Sequence, residues 1–451
     1  MRSTPASGRT GFRCARFFVV VFACAAGALS CGVSEPPATP PNVLVYVLDT
    51  LRADHLGAYG NPLVETPHFD RVAAEGVTFE RVYAPTSWTR PAMATLFTGV
   101  EPGAHRIETR NDVLPDAVLT LPEILKQHGY ATAYLTANPN AGSLFGFAQG
   151  VDEMGEMYAQ QNKDYIDPRE RMAKSDAVTD RALAWLDTVG EQPFALIVLS
   201  IDPHFPYSAP EERVEREKAK TPLDLESPTK DDYRNAFLAP YRAEIGFNDA
   251  SFGRLIGRLE STGRLDDTIV VVTADHGEEF FEHGKFQHAK SLYDEVLHVP
   301  LIVRFPGTDR IEPGSRDAIP ARLADVLPTV LDLAGIDAPA GLEGQSLVAA
   351  GRQRPPSVYA RLRIDGFDLD AVLDYPWKLV HDRKTGESAV YRLDADPLEA
   401  APVDDPAELA RLQSLLETHV AAERERAADA PHAPELPPEV QETLKALGYV
   451  E

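Results

Sequence analysis

The chain has 451 residues, of which 44% are hydrophobic and 25% are charged, and its formal net charge is −25. This composition is that of a globular protein with enough length for a large core, which excludes a fibrous or disordered chain. The acidic balance argues against nucleic acid as a partner, because binding to phosphate backbones requires an excess of Lys and Arg. We therefore expect a large folded domain with a smaller C-terminal part and no nucleic-acid partner.

The first 31 residues have the pattern of a bacterial secretory signal. Several arginines without acidic residues precede the apolar stretch Phe17–Leu29. This stretch is too short for a spanning helix, which needs about 20 residues, so it predicts a signal peptide. The segment Ala28–Cys31 resembles a lipobox, which makes Cys31 the lipidated first residue of the mature chain. Ordinary cleavage near Ala28 and an uncleaved anchor are the alternatives.

This pattern predicts a protein of the bacterial cell envelope, periplasmic or on the outer face, that contacts the membrane only through its lipid. Residues 32–41, GVSEPPATPP, form a Pro-rich tether. The chain has three cysteines. Because Cys14 and Cys24 leave with the signal, the mature chain keeps only Cys31 and forms no internal disulfide.

The remaining chain alternates between strand and helix patterns as far as residue 350. Apolar runs begin at Asn42 and at Thr268, and each is typical of a strand buried on both faces. Between and after them we predict, in chain order, helix 66–76, strand 77–83, helix 91–97, helix 120–129, strand 131–135, helix 176–189, strand 194–201, helix 233–259, strand 299–304 and helix 321–335. This alternation predicts an α/β sandwich with a mainly parallel central sheet over residues 42–350.

The pattern changes in residues 351–451. The segments VYARLRI, WKLVHD and AVYRLD are typical of antiparallel strands, and Pro406–Glu425 is typical of a helix that covers them. We predict a smaller C-terminal α+β subdomain there.

Acidic residues directly follow two of the predicted buried strands. Asp49 ends the first run, and Asp275 and His276 end the second. Open α/β sheets place their ligand sites at the carboxyl ends of strands. Two carboxylates and an imidazole suit Zn, Mn, Ca or Mg, so the set predicts a metal site without choosing the metal. The alternative for the Asp–His pair alone is an ordinary hydrogen bond in a loop.

Thr89 lies just before Arg90, Pro91 and a short predicted helix. A hydroxyl at a helix N-terminus lies beside unpaired N–H groups and the positive end of the dipole, which favours an incoming anion. A free Thr hydroxyl is a poor nucleophile, and coordination to a metal activates it. Thr89 is therefore a candidate nucleophile and metal ligand, and the alternative is a plain helix cap.

Three histidines lie near predicted strand ends and are candidate proton donors. His204 follows the strand 194–201, and His283 and His288 follow shortly after the Asp275–His276 pair. A leaving alkoxide needs a proton, and His is the usual donor near neutral pH. An alternative use of these residues is a second metal site formed by Asp202 with His204, His283 and His288.

Five segments in this order resemble the sulfatase family of the alkaline phosphatase superfamily: LDTLRADHLGAYG, WTRPAMATLFTG, DPHFPY, TADHGE, and LYDE followed by HVPLIV. The resemblance covers roughly Asn42–Leu347, and WKLV followed by VYRLDADPLE is similar to the family's C-terminal subdomain. It implies an alkaline-phosphatase-like sandwich that hydrolyses sulfate esters with a divalent metal ion. Ca is the metal that the family favours, with Mn or Zn as alternatives.

The resemblance also implies roles for individual residues. Asp49, Asp275 and His276 match metal ligands, and Thr50 stands where many sulfatases have a further aspartate. His204 and His288 resemble the basic residues near the bridging oxygen of the ester. The remaining candidates are Arg90, which would neutralise charge on the ester oxygens, and Asn138 and His283, which would contact the substrate.

The nucleophile position departs from the family pattern. Sulfatases make a formylglycine there from Cys or Ser, whereas this chain has Thr89, which cannot give that aldehyde, and Met93 takes the place of the usual Arg. Thr nucleophiles are found in superfamily members that act on phosphate esters. We expect a metal-dependent hydrolase of sulfate esters, or of related phosphate esters, on a small molecule or a glycan, with Thr89 as metal-activated nucleophile. The alternatives are a phosphodiesterase or phosphotransferase, or a non-catalytic module that binds anionic glycans.

Overall fold

The structure is a computed structural model, and it describes residues 40–158, 172–224, 227, 229–355, 357–426 and 436–447. The predicted signal peptide, Cys31 and most of the tether lie outside the described residues, so the lipid anchor stays a prediction. Among the described helices, none has the combined length and apolar character that crossing a membrane requires.

Fifteen strands and eleven α-helices form in the described residues. The strands are β1 Asn42–Leu48, β2 Val77–Tyr83, β3 Ala131–Thr136, β4 Glu153–Glu156, β5 Phe194–Ser200, β6 Thr268–Ala274, β7 Glu279–Phe280, β8 Phe286–Gln287, β9 His298–Arg304, β10 Ser315–Asp317, β11 Ala321–Arg322, β12 Val358–Ile364, β13 Phe367–Asp374, β14 Trp377–Asp382 and β15 Ser388–Arg392. The helices are α1 Pro67–Glu75, α2 Thr89–Thr98, α3 Pro102–His105, α4 Leu121–Gln127, α5 Ser175–Val189, α6 Glu211–Lys220, α7 Lys230–Ser261, α8 Asp294–Leu297, α9 Val326–Leu333, α10 Pro406–Arg426 and α11 Pro438–Ala446.

The central sheet has the strand order β10-β2-β9-β6-β1-β5-β3-β4, and β11 also pairs with β2. Every pair in it is parallel except the two pairs made by β9, which runs antiparallel to β2 and to β6. The mainly parallel central sheet predicted from the sequence is confirmed. The single reversed strand is compatible with this class, because mixed sheets often carry one antiparallel strand.

The strands in the middle of the sheet are covered on both faces, as their continuous apolar sequences predict. All seven residues of β1, β5 and β6 are buried. The longest helix, α7, packs against α1, α5 and α6, and the hydroxyl of Tyr46 in β1 donates to Oδ1 of Asn248 in this helix at 2.7 Å. A second group consists of α2 with α4 and α9. This rigid layered core fixes the positions of the strand ends that carry the candidate site.

The prediction of a helix over residues 321–335 is wrong at the N-terminal end. The chain first adds the short strand β11 beside β2, passes through a 3-10 turn, and becomes helical only at Val326. The buried carboxylate of Asp325 accepts from the backbone N–H of Arg322 at 2.8 Å and from that of Gln345 at 2.9 Å. These bonds hold Asp325 at the start of the helix, so the helix begins there.

The C-terminal region forms a separate four-stranded antiparallel sheet in the order β12-β13-β14-β15, covered by α10. The predicted α+β character of this part is confirmed. Strand β13 was not predicted, because its alternating acidic residues are typical of a loop. One of these acids, Asp370, is buried, and the guanidinium groups of Arg363 and Arg383 bind its two oxygens. Paired in this way, the acid is compatible with a central strand.

Candidate active site

Strand register brings the two predicted metal aspartates together. Leu48 of β1 lies opposite Ala274 of β6 and Ser200 of β5, so Asp49 and Asp275 leave adjacent strands at the same level. The backbone N–H of Asp49 donates to the carbonyl of Ser200 at 3.0 Å, which continues the ladder by one residue. Both carboxylates are completely buried. The two acids therefore meet at the carboxyl edge of the sheet, as predicted.

The atoms of this cluster fit a divalent cation. Oδ1 of Asp49 and Oδ2 of Asp275 have no hydrogen-bond partner, and they lie 3.8 Å and 3.4 Å from Nε2 of His276. The Nδ1 atom of His276 lies 2.9 Å from the carbonyl oxygen of Gly277. Because a carbonyl oxygen only accepts, Nδ1 carries the hydrogen and Nε2 directs its lone pair toward the carboxylates. One ligand atom from each residue lies within 4.8 Å of the others.

The electrostatics of the cluster also favour a bound cation. Burial raises the pKa of Asp49, and the charge of Asp275 raises it further. Burial likewise raises the pKa of Asp275, while His276 and hydrogen bonds from the backbone and from Thr89 oppose that rise. Two buried carboxylates without a positive partner are costly, and a cation between them removes that cost.

Thr89 is the first residue of α2, and its hydroxyl points into this cluster. The Oγ1 atom lies 3.2 Å from Nδ2 of Asn138 and 3.4 Å from Nε2 of His276. The capping position belongs to Trp88, and no side-chain cap bond is made there. The alternative that Thr89 is a plain helix cap is therefore wrong.

Asn138 connects the hydroxyl to the first carboxylate. It follows β3, and its Oδ1 atom accepts from the backbone N–H of Asn140 at 2.8 Å. This bond fixes the amide so that Nδ2 donates to Oδ2 of Asp49 at 2.5 Å and to Oγ1 of Thr89 at 3.2 Å. Asn138 therefore orients both groups, which is a more specific position than the substrate contact that the sequence suggested.

The two predicted proton-donating histidines also join the site. The ring of His288 lies 4.8 Å from that of His204 and 4.6 Å from that of His276, measured between centroids. The Nδ1 atom of His288 lies 2.9 Å from Oε1 of Glu278. Burial lowers the pKa of His204 and of His288, whereas burial raises the pKa of Glu278 to about 8. Both shifts favour an uncharged Glu278–His288 pair, in which the two side chains share a proton across this contact.

Sequence reasoning missed Glu278. The residue is part of the segment TADHGE, two positions after His276, and its carboxylate is completely buried. Its position inside the segment that also supplies the predicted metal ligands Asp275 and His276 is the signal that could have identified it.

Arg90 lies next to Thr89, but its guanidinium group is directed toward the backbone of neighbouring loops. It donates to carbonyl oxygens of Asn140, Arg110 and Asp112 at 3.3, 2.5 and 3.3 Å, and it stacks 3.3 Å above the ring of Phe145. The structure thus gives Arg90 contacts that hold the loops around the site, and its action on ester oxygens stays a prediction.

His283 and Asp202 belong to other groups of residues. The imidazole of His283 lies 2.5 Å from Oε1 of Glu295, and the carboxylate of Asp202 accepts from the backbone N–H of Ser175 at 2.8 Å. The alternative of a second ion held by these two residues with His204 and His288 does not agree with this placement. Substrate contact by His283 stays a prediction.

Thr50, which replaces a carboxylate of the family pattern, contributes through its backbone. Its φ of 59° is left-handed, a conformation that β-branched residues rarely adopt. Its N–H donates to Oδ1 of Asp275 at 3.2 Å, and its carbonyl accepts from the hydroxyl of Tyr241 at 2.8 Å. The strained turn thereby orients the Asp275 carboxylate.

The sulfatase family profile matches residues 41–336, which include every residue of this cluster. The chain belongs to the sulfatase family. This membership confirms the resemblance noted in the sequence and places the chain in a family of sulfuric ester hydrolases.

Known proteins agree with this membership. The chain is 28% identical over 330 residues to an ulvan-active sulfatase of Formosa agariphila, with 68% of this chain and 64% of that protein covered. It is 24% identical over 483 residues to an N-acetylglucosamine-6-O-sulfatase of Bacteroides thetaiotaomicron, with 83% and 85% covered. The chain thus spans about two thirds of the first relative and most of the second.

Solved structures share the fold. A protein solved in complex with its substrate D-glucosamine-2-N,6-O-disulfate superposes with a TM-score of 0.73 at 22% identity, over 86% of this chain and 98% of that chain. A phosphonate monoester hydrolase of Agrobacterium radiobacter superposes with a TM-score of 0.68 at 23% identity, over 86% and 96%. The alkaline-phosphatase-like fold predicted from the sequence is confirmed.

Proposed function

We propose that this protein hydrolyses sulfate esters of a glycan or small molecule, with Thr89 as the nucleophile at a single divalent cation. The observation that carries the proposal is the position of the Thr89 hydroxyl. It lies at the start of α2, within 3.4 Å of a metal-ligand nitrogen and 3.2 Å from the Asn138 amide, beside two carboxylate oxygens without partners.

Asp49, Asp275 and His276 would hold the cation, and Thr89 would complete the set. Carboxylates with an imidazole suit Ca, Mn or Zn, and the sulfatase pattern favours Ca. When bound, such an ion lowers the pKa of the hydroxyl and neutralises charge on the ester oxygens.

The side chains of this chain supply the remaining chemistry. After its proton is released to solvent, the Thr89 oxygen forms a bond to sulfur while the bond from sulfur to the leaving oxygen breaks. The leaving oxygen takes a proton from His288, which Glu278 can reprotonate across the 2.9 Å contact, or from His204. Water then hydrolyses the threonine ester and restores the hydroxyl. The N-terminus of α2 faces the anionic group throughout.

A phosphate or phosphonate ester is the second candidate substrate. The observation that favours it is Thr89 itself, because Thr cannot be converted to formylglycine and resembles the nucleophile of phosphate-ester members of the superfamily. The site geometry would serve either reaction, since both would place a tetrahedral anionic group with its peripheral oxygens beside a cation.

A panel of esters with matched variants tests the proposal. Wild-type protein loaded separately with Ca, Mn or Zn would be assayed on an aryl sulfate, a sulfated glucosamine, a phosphate monoester, a phosphonate monoester and a phosphodiester. We expect sulfate release to dominate, Thr89→Ala to abolish it, and Thr89→Ser to retain a measurable part, because Ser keeps the hydroxyl. Dominant phosphate or phosphonate release would favour the second candidate.

The non-catalytic alternative makes a different prediction. A module that only binds anionic glycans would bind metal and sulfated glycan yet release neither sulfate nor phosphate from any ester. Full activity of Thr89→Ala would remove the threonine from the mechanism, whichever ester is cleaved.

We also propose that Cys31 anchors the protein to the bacterial envelope. The lipobox-like Ala28–Cys31 and the ten-residue tether before β1 support this proposal. Wild-type protein expressed in bacteria should partition into detergent and carry diacylglycerol at its N-terminus, whereas Cys31→Ala should be aqueous. Equal partition of both proteins would contradict it.

A further inference from the structure

Outside the Thr89 site, Glu279, His283 and Glu295 form a second cluster of ligand-type side chains. One nitrogen of His283 and one oxygen from each carboxylate lie within 4.8 Å of one another. We propose that this cluster binds a second divalent cation of the Zn²⁺ class, with a structural role.

One carboxylate oxygen of this cluster is buried without a hydrogen-bond donor. Glu279 is completely buried, and its Oε2 atom accepts from the hydroxyl of Ser291 at 2.6 Å. Its Oε1 atom has no hydrogen-bond partner. The nearby ammonium of Lys285 donates instead to the carbonyl of Lys290 at 2.7 Å. A buried carboxylate oxygen without a donor is costly, and a cation is the group that would satisfy it.

The imidazole of His283 is held in an orientation that suits a metal ligand. The Nε2 atom of His283 lies 3.3 Å from the carbonyl oxygen of Glu399, which can only accept, so Nε2 carries a hydrogen. The ring stacks on Tyr293 with centroids 3.6 Å apart, which fixes its plane. The Nδ1 atom faces the carboxylates and donates to Oε1 of Glu295 at 2.5 Å, so loss of its hydrogen would leave Nδ1 directed at an ion held between them. A backbone carbonyl behind the ring is the arrangement that supports metal-ligating histidines.

The donor set selects the class of metal. Ca²⁺ takes six to eight oxygen ligands, so a cluster of three side chains that includes an imidazole is poor for it. One imidazole and two carboxylates suit Zn²⁺ and its neighbours, with water at the remaining position.

The position of the cluster between three elements indicates that the ion would have a structural role. Glu279 begins β7, His283 lies in the turn before β8, and Glu295 lies in α8. A Cβ added at Gly277 would lie 2.1 Å from the carbonyl oxygen of Glu295, so the two segments approach as closely as backbones allow. An ion here would fasten the β7–β8 hairpin to α8.

Metal counting tests the proposal independently of catalysis. The full chain with Asp49→Asn/Asp275→Asn, which silences the first site, would be stripped with a chelator, titrated with ZnCl₂ and analysed for bound zinc. We expect about one zinc per chain, and at least about a hundredfold weaker binding when Glu279→Gln is added. Adding Glu312→Gln, the same change at an exposed carboxylate, should leave zinc binding unchanged.

Two further readouts keep the test decisive. Zinc binding should raise the thermal midpoint of the Asp49→Asn/Asp275→Asn protein but not that of its Glu279→Gln derivative. If the derivative does not fold, zinc X-ray absorption of the parent should show one nitrogen and oxygen ligands at about 2.0–2.2 Å. A folded parent that binds no zinc, equal binding in the Glu279→Gln derivative, or a spectrum without an imidazole ligand would overturn the proposal.

Discussion

Two groups of buried carboxylates in this protein differ in how their negative charge is compensated. Asp294 and Glu399 share the buried ammonium of Lys378, which donates to them at 2.7 Å and 3.1 Å. Both oxygens of Glu399 lie near this ammonium, at 3.0 Å and 3.1 Å. Asp49 and Asp275 are more deeply buried than Asp294, and among the described residues no Lys or Arg side chain forms an ion pair with either of them. The first group is complete within the protein. The second group is incomplete without a further positive partner, and the proposed cation would supply that partner.

Neutralising one acid of the incomplete group, Asp49 and Asp275, should have the largest effect. Asp275→Asn keeps the volume but removes a charge, so we expect activity to fall by at least about a thousandfold, or about 4 kcal/mol of transition-state stabilisation. In chelator, the same change should raise the free energy of unfolding by about 1–2 kcal/mol, because it relieves a buried, uncompensated charge. Activity assays and denaturant unfolding measure the two effects. Asp337→Asn is the exposed control, and a loss of stability in chelator would contradict the comparison.

Removing the cation of the complete group should have the opposite effect on stability. Lys378→Met retains the apolar stem and leaves Asp294 and Glu399 without their ammonium, so we expect a loss of about 3–5 kcal/mol in the free energy of unfolding. Lys218→Met is the matched control, because Lys218 forms an exposed ion pair with Glu215 that contributes at most about 1 kcal/mol. Equal destabilisation by both substitutions would show that burial does not distinguish them.

The sequence was sufficient to predict most of the incomplete group. Asp49 and Asp275 end apolar strands, and parallel neighbours place their ends at one edge of the sheet, so strand pattern alone brings them together. The direction of a side chain is not encoded in such a pattern. Arg90 is adjacent to Thr89 in sequence yet binds loop carbonyls, and His283 turns toward Glu295.

The same limit applies to the polar partners of the site and to the C-terminal sheet. Glu278 was missed because its function depends on a contact with His288, which the β7–β8 hairpin creates. Strand β13 was missed because its acids resemble a loop until Arg363 and Arg383 are seen to bind Asp370. In each case an ion pair or hydrogen bond between residues distant in sequence determines the structure, and the local sequence pattern does not reveal it.

A smaller loss of activity is expected when the neutral side chain of Asn138, which orients Asp49 and Thr89, is removed. Asn138→Ala removes the amide that holds Oδ2 of Asp49 and Oγ1 of Thr89, so kcat should fall by about 10- to 100-fold while KM changes little. Asn140→Ala is a control for the loop, because it removes a side chain that contacts Arg90 and leaves Asn138 in place. If the Asn140→Ala variant lost as much kcat, loop distortion would explain both results.

The last prediction is a change in pH dependence rather than in activity, and it concerns Glu101, whose charge compensation is intermediate between the two groups. This buried carboxylate has Arg322 at 3.5 Å, yet burial raises its pKa to about 8, well above the ordinary value of 4.5. The native protein therefore keeps a proton that the unfolded chain has already lost, and this contribution to stability is present below pH 4.5 and disappears as the pH rises toward 8. Glu101→Gln imitates the protonated form, so between pH 5 and 8 its free energy of unfolding should fall less steeply than that of wild type, by up to about 1.4 kcal/mol per pH unit. Urea unfolding across this range measures the slope, and Glu312→Gln should reproduce the wild-type curve. Parallel curves for wild type and Glu101→Gln would mean that Arg322 already compensates the charge, which would place Glu101 with the complete group.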